Sequence, residues 1–294
     1  MGETQESADR KFVVRTPGKL ILTGEHAVVY GKLALATSVD LLTEISLTLH
    51  SHHHHSSIVI YFEDFEFNWS LPLAELQFSQ VRTTPELDPQ LLERLKFLIA
   101  EKVQPETSQS VRTSLLALCF LYCSIVGHSR AGFELRVKST IPIGAGLGSS
   151  AAFSVGSSAA FHLLRHHLTP NQNPFVPNLE LVNIWAFQCE KMFHATPSGI
   201  DNAVCTYGGV VKYQKKVIDS IAVPEARILL VNTGVGRQTK LLVEAVRRKR
   251  DSFPAIVDPI LDSIDQISCK MADIIQQPQN TNYPAIQVCW IDIF

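Results

Sequence analysis

IPIGAGLGSSAAFSV, residues Ile141 to Val155, reads as the end of a strand, a glycine turn and the first turns of a helix. Gly144, Ala145, Gly146, Leu147 and Gly148 come just before Ser149 and Ser150. A glycine turn between strand and helix offers backbone N–H groups and the positive end of a helix dipole. Together these suit an anion such as a nucleotide phosphate. The same turn also serves as a plain tight connection, and the stretch alone does not separate the two readings. Neither G-x-x-x-x-G-K-[ST] nor a correctly placed G-x-G-x-x-G occurs. The pattern is instead Pro142-x-x-x-Gly146-Leu147-Gly148-Ser149-Ser150-Ala151. Behind it, Ala151, Ala152, Ser154 and Gly156 are small enough for close helix packing and a close ligand.

Working outward, "GFELRVKST" alternates Phe133, Leu135 and Val137 with charged residues, which predicts a half-exposed strand ended by Pro142. From Lys11 the first half is β-rich. "KFVV" and "LILTG" are expected to flank a turn at "RTPGK", with further strands at "LTEISLTL" and "SIVIYFEDFEF". SHHHHSS between the last two is read as a hairpin tip, because consecutive histidines point different ways and no ligand partner is near. Residues 90–102 and 110–126 are predicted helical, and "LTPNQNPFVPN" is a surface loop. A helix over about 179–194 places Leu181, Ile184, Trp185 and Gln188 on one face. Strands are expected at "GGVVKY" and "ARILLVNT", then a helix at "TKLLVEAVRRKR" whose basic run is a solvated end.

The chain has 294 residues, 46% of them hydrophobic, enough for a substantial core in two domains or lobes. A net charge of −2 argues against a nucleic-acid binder. Six scattered cysteines without a C-x-x-C pair argue against zinc and for a reducing compartment. MGETQESADR lacks a secretory core, and no run of about 18 uninterrupted apolar residues occurs. A soluble, cytoplasmic protein without a membrane span is expected.

Four residues suggest chemistry. A Ser150 hydroxyl at the helix start suits a Mg²⁺ bridging phosphates, and Glu190 offers a second oxygen ligand. Alone, Glu190 reads equally as a surface carboxylate. Asp201 in "PSGIDNAV" is either a turn former or a general base for a substrate hydroxyl in phosphoryl transfer. Lys19, in "TPGKLILTGEHAVVYG", would keep that carboxylate ionised and steady charge on the transferred group.

"TPGKLILTGEHAVVYG", "PIGAGLGSSAA" and "PSGIDNAV" resemble the motifs of the GHMP family of sugar-and-small-alcohol kinases. The likeness runs from about Phe12 to Lys270 and includes "LVNIWAFQCEKMFHATPSGIDNAV". Galactokinases usually carry an acidic residue two places after the GEH, where this chain has Val28, and phosphomevalonate and homoserine kinases usually lack the GEH. The branch that phosphorylates mevalonate fits best. The resemblance implies an α+β, two-lobed fold with a ribosomal-protein-S5-domain-2-like first lobe, here 1–225. The remainder, 226–294, would be a partial α/β second lobe.

It further implies Asp201 as catalytic base with Lys19 its cationic partner, and Ser150 and Glu190 as Mg²⁺ ligands. Gly144 to Ser150 would be the ATP phosphate loop, with Ser139 and Lys19 as further nucleotide contacts. Glu25, His26, Asp201 and Thr239 would line the mevalonate site. The implied activity is ATP-dependent phosphorylation of the 5-hydroxyl of (R)-mevalonate, feeding isoprenoid and sterol synthesis, in a homodimer. Family members normally carry a third, late glycine-rich motif, and this chain shows none. After about "SCKMADIIQQPQ" the likeness fades into an apolar tail, "NTNYPAIQVCWIDIF". The expectation is a shortened chain with reduced stability. The alternative reading is a non-catalytic relative that binds nucleotide or pairs with a full-length enzyme.

Overall fold

The computed structural model describes residues 9–50, 56–76, 81–82, 84–127, 131–169, 174–194, 197–215, 217–223, 228–231 and 239–276. The histidine run at 52–55, part of the loop after Leu168, the tail beyond Gln276 and the side chain of Thr239 lie outside them. Two compact units divide the chain. The first takes Met1–Thr16, Leu41–Thr140 and Ser150–Ala195, and the second takes Pro17–Asp40, Ile141–Ser149 and Thr196–Phe294. Two long strands, β1 (Arg10–Thr23) and β2 (Ala34–Leu49), pair with each other and contribute residues to both units.

In the first unit, the C-terminal half of β2 pairs antiparallel with β5 (Phe133–Ser139), from Thr43↔Ser139 to Leu49↔Phe133. On its other side β5 pairs parallel with β3 (Ser57–Phe62), and β3 pairs antiparallel with β4 (Phe67–Pro72). Alternation does the sorting: Ile45, Leu47, Ile58, Ile60, Leu71, Phe133 and Leu135 are all buried. The helices α1 (Pro89–Lys102), α2 (Gln109–Leu121), α3 (Ser149–Leu168) and α4 (Leu179–Phe193) contribute to the same core. There Phe120 meets Trp185 edge-on, and Tyr122, Phe133 and Phe161 form a ring cluster. On α3, Gly156 serves close packing. A Cβ on Gly156 would stand 2.9 Å from Thr16 Oγ1 and 3.2 Å from Ile45. Gln109–Val126 is apolar enough by composition to cross a membrane, but 67% of it is buried inside the protein.

In the second unit, the N-terminal half of β2 pairs antiparallel with β6 (Val210–Gln214), which forms a hairpin with β7 (Val217–Ile221). β2 is packed on both faces. Ala34 and Ala36 pack with Ile200 and Val204 of α5 (Ile200–Tyr207), while Leu35 packs with Met271 and Ala272 of α7 (Pro254–Ile275). Between them in sequence lies α6 (Thr239–Ser252).

Several local expectations need correction. "RTPGK" is not a turn: β1 runs through it, and Gly18 is there because the Leu147 carbonyl would lie 3.0 Å from any Cβ. "SIVIYFEDFEF" is not one strand but a hairpin, broken by a 3-10 turn at Glu63–Phe65 with Glu66 left-handed at φ 49°. The described part of "ARILLVNT", Ile228–Val231, forms no strand, and Leu229 is 89% exposed. On α4 the buried residues are Val182, Trp185, Ala186, Gln188, Cys189 and Glu190, so Trp185 and Gln188 lie inward as expected while Ile184 is turned outward. The helix α7 is not among the elements expected from the sequence, and it runs through Pro259. Pro254 takes the first turn, where its missing N–H has no partner to lose.

Candidate active site

The glycine loop belongs to the second unit. Gly144, Gly146 and Gly148 all take left-handed φ angles of 75–77°. That conformation disfavours a side chain and exposes the loop's N–H groups. The loop is tied to β1 by the Lys19 N–H, which donates to the Leu147 carbonyl at 2.9 Å. Gly148 is packed so closely on Lys19 that a Cβ would meet its Cγ at 2.7 Å. The loop and the lysine therefore form one fixed piece.

Lys19 Nζ pairs with Asp201 Oδ1 at 3.0 Å, with 6% of the lysine side chain and 33% of the aspartate exposed. A buried ammonium is costly without an anion, so this pair is held by need as well as geometry. Asp201 sits in the first turn of α5, where the helix dipole favours a negative charge. The approach to α5 is set by Gly199, left-handed at φ 94°, and by the Tyr213 hydroxyl, which donates to the Ser198 carbonyl. Burial pushes the Tyr213 phenol above its usual pKa, so it stays a donor.

A second cluster lies in the first unit. Glu190 on α4 is 2% exposed. Ser150 Oγ donates to its Oε2 at 3.4 Å, and Ser154 Oγ donates to its Oε1 at 3.3 Å. His194 Nε2 stands 3.3 Å from Ser150 Oγ and 3.9 Å from Glu190 Oε2. A buried carboxylate ringed by hydroxyls is a hard oxygen set, the kind that suits Mg²⁺ with phosphate oxygens completing the shell. Among the described residues no group of three or more His, Cys, Asp or Glu side chains is placed to hold a metal ion, so no all-protein metal cage competes with that reading.

The remaining candidates fall as follows. Ser139, at the end of β5, shares a hydrogen bond with Thr43 Oγ1 at 2.8 Å, and its N–H donates to Asp64 at 2.8 Å. Glu25 is exposed and His26 half-buried on the turn after β1, where His26 is left-handed at φ 64°. Thr239 begins α6. Sequence reasoning missed Ser154 and His194. Each stands one helical turn, i+4, from a residue it did single out, Ser150 and Glu190, which was the available signal. The buried cysteines are inert. Burial lifts the Cys119 thiol to about 12, and burial beside Glu190 lifts Cys189 well above its usual value.

Residues 114–209 match the GHMP kinases N terminal domain. The chain is 39% identical over 285 residues to mevalonate kinase of Bos taurus, covering 90% of this chain and 69% of that protein. It is 38% identical over 281 residues to the Homo sapiens mevalonate kinase, covering 90% and 69%. Among solved structures, it resembles L. major mevalonate kinase in complex with R-mevalonate (TM-score 0.62, 21% identity, 97% of this chain and 74% of that one). It is also similar to the Methanococcus jannaschii mevalonate kinase (TM-score 0.62, 21% identity, 90% and 73%). The fold expected from the motifs is the one found, and by sequence identity and coverage the chain belongs to the mevalonate kinase family of GHMP kinases.

Proposed function

We propose that this protein transfers the γ-phosphoryl group of ATP to the 5-hydroxyl of (R)-mevalonate, a step of isoprenoid and sterol synthesis, as a cytoplasmic homodimer. One observation carries the reading: the Lys19–Asp201 pair at 3.0 Å, built onto the glycine loop through Leu147 and Gly148. Asp201 accepts the hydroxyl proton as the new O–P bond forms and the bond from the γ-phosphorus to the bridging oxygen breaks, releasing ADP. Lys19 pairs with the Asp201 carboxylate and offers positive charge to the phosphoryl oxygens as they develop charge. The loop from Gly144 to Ser149 receives the phosphates on its N–H groups, with Ser139 a further nucleotide contact. Glu25, His26 and Thr239 hold the alcohol substrate.

Ser150 and Glu190 would hold Mg²⁺, which when bound neutralises phosphate charge. Ser154 keeps the Glu190 carboxylate aimed at Ser150 from its other oxygen. The alternative, a relative that binds nucleotide without turnover, is not favoured, since the proton-accepting pair is intact. A coupled ADP-release assay with mevalonate, galactose, homoserine and phosphomevalonate tests the substrate. Turnover restricted to mevalonate is expected, and turnover restricted to any of the others overturns the assignment.

A further inference from the structure

The turn that carries Glu25 and His26 is gripped by a helix far away in sequence. Its neck is pinched at Gly24, where a Cβ would fall 2.3 Å from the Leu33 carbonyl oxygen and 2.6 Å from Ala34 Cα. Inside the turn, Val28 N–H donates to Gly24 O and Lys32 N–H to Ala27 O. Both sides of the neck are then fixed to α7. On the outgoing side, Asp265 Oδ1 accepts the Leu33 N–H at 2.5 Å, and Lys32 pairs with Asp262. On the incoming side, Thr23 Oγ1 and Ser268 Oγ lie 3.1 Å apart, both buried. Ser268 Oγ also lies within hydrogen-bond distance of the Ile264 carbonyl, at 2.9 Å.

The grip continues in both directions. Gln214 of β6 donates to the Gly31 carbonyl at 3.3 Å and to Asp265 at 3.5 Å, bridging the turn to the helix carboxylate. The Arg250 guanidinium stacks over the Tyr30 ring at 4.8 Å while pairing with Asp258 at 2.5 Å. Further along, Met271 and Ala272 pack on Leu35, with Leu22 and Ile275 beside them. Residues 258, 262, 265, 268 and 272 recur at helical spacing, so a single face of α7 meets residues on both sides of the turn.

We propose that α7 sets the position of the Glu25–His26 turn, with Asp265 as the positioning residue, and thereby governs affinity for the alcohol substrate and not for the nucleotide. The consequence for substrate rests on the reading of Glu25 and His26 as substrate contacts. The physical basis is selectivity of the tether. The nucleotide candidates are fixed by other bonds, Lys19 to Leu147 and Ser139 to Thr43, none of which involves α7. The turn has a left-handed His26, and its Leu33 amide bonds a carboxylate of the helix. Losing that carboxylate removes a charge-assisted hydrogen bond, whose strength corresponds to about tenfold or more in an equilibrium.

The test uses the full chain carrying Asp265→Ala, Asp265→Asn or Ser268→Ala. Two quantities are measured: amide hydrogen exchange over residues 24–33, and the separate KM values for mevalonate and ATP. Asp265→Ala is expected to speed exchange in the turn and raise the mevalonate KM about tenfold, with the ATP KM within about twofold. Asp265→Asn, whose amide oxygen still accepts from Leu33, should recover most of both effects. Ser268→Ala should show the same pattern more weakly, and it decides the matter if Asp265→Ala does not fold. Equal rises in both KM values, or a loosened turn with an unchanged mevalonate KM, overturns the proposal. Glu25→Gln separates the underlying reading: if it leaves the mevalonate KM unchanged, the substrate assignment fails, while the exchange data still decide whether α7 holds the turn.

Discussion

Replacing Gly148 by alanine tests whether the phosphate loop and the Lys19–Asp201 pair are one mechanical piece. Gly148 and Gly144 share a left-handed φ of 75°, so alanine at either position carries a conformational cost of about 1–2 kcal/mol. Their surroundings differ. Among the described residues nothing lies within 4 Å of a Cβ at Gly144, whereas at Gly148 it meets Lys19 Cγ at 2.7 Å and Cε at 3.2 Å. Ordinary contact begins near 3.4 Å, so the lysine stem must retreat by about 0.7 Å. Lys19 is 5% exposed and cannot swing into solvent, so the shift is passed to Nζ and its 3.0 Å partner Asp201. A misplacement of about 1 Å at a reacting group costs on the order of 10²-fold in rate. Gly148→Ala should therefore lower kcat at saturating ATP by about 10–100-fold more than Gly144→Ala, and melt somewhat lower because of the added overpacking. Measured kcat by coupled ADP release, alongside thermal melts, makes the comparison. Equal kcat losses in the two variants would refute the mechanical link.

Two further outcomes follow from the other unit. Glu190→Gln keeps the shape but removes the charge, so half-saturating Mg²⁺ should rise about tenfold with little change in melting; an unchanged Mg²⁺ titration contradicts a metal role. His162, with its Nε2 buried and without a hydrogen-bond partner among the described residues, is held neutral chiefly by burial, its pKa lowered from 6.5 to about 4. Between those values the unfolded chain takes a proton that the folded one refuses, so stability falls as pH drops from 6.5 to 4, by about 2–3 kcal/mol. Urea melts at pH 7 and pH 5 should show this loss in the parent chain and much less of it in His162→Gln.

The family fold was legible in the sequence through its motifs, while several of its individual elements were not. Three glycines at alternate positions before two serines have few uses, and the structure gives each of them a left-handed angle. The partnership of Lys19 with Asp201 could be guessed from charge logic alone, since a lysine among apolar strand residues needs an anion. What the sequence concealed depends on distant contacts. "TPG" looks like a turn by local rules, but the Leu147 carbonyl, over a hundred positions away, makes Gly18 part of a strand. "ILLV" at 228–231 looks like a strand, but a strand needs a ladder partner, and a short apolar run cannot reveal whether it has one. Ser154 was noticed only as a small residue, because its hydroxyl acquires meaning only once α4 brings Glu190 beside it. Likewise α7 shows its role only through side chains that reach back to residues 23–35.

The central claim is that Asp201, paired with Lys19, takes the proton of the substrate hydroxyl. It is tested most directly by single-turnover phosphorylation of mevalonate with Asp201→Asn, set beside calorimetric ATP affinity for the same protein. The account predicts a fall in the chemical rate of about 10²–10⁴-fold with ATP affinity nearly unchanged. A near-normal rate in a folded Asp201→Asn protein would contradict it and leave the aspartate as no more than the first-turn residue of α5.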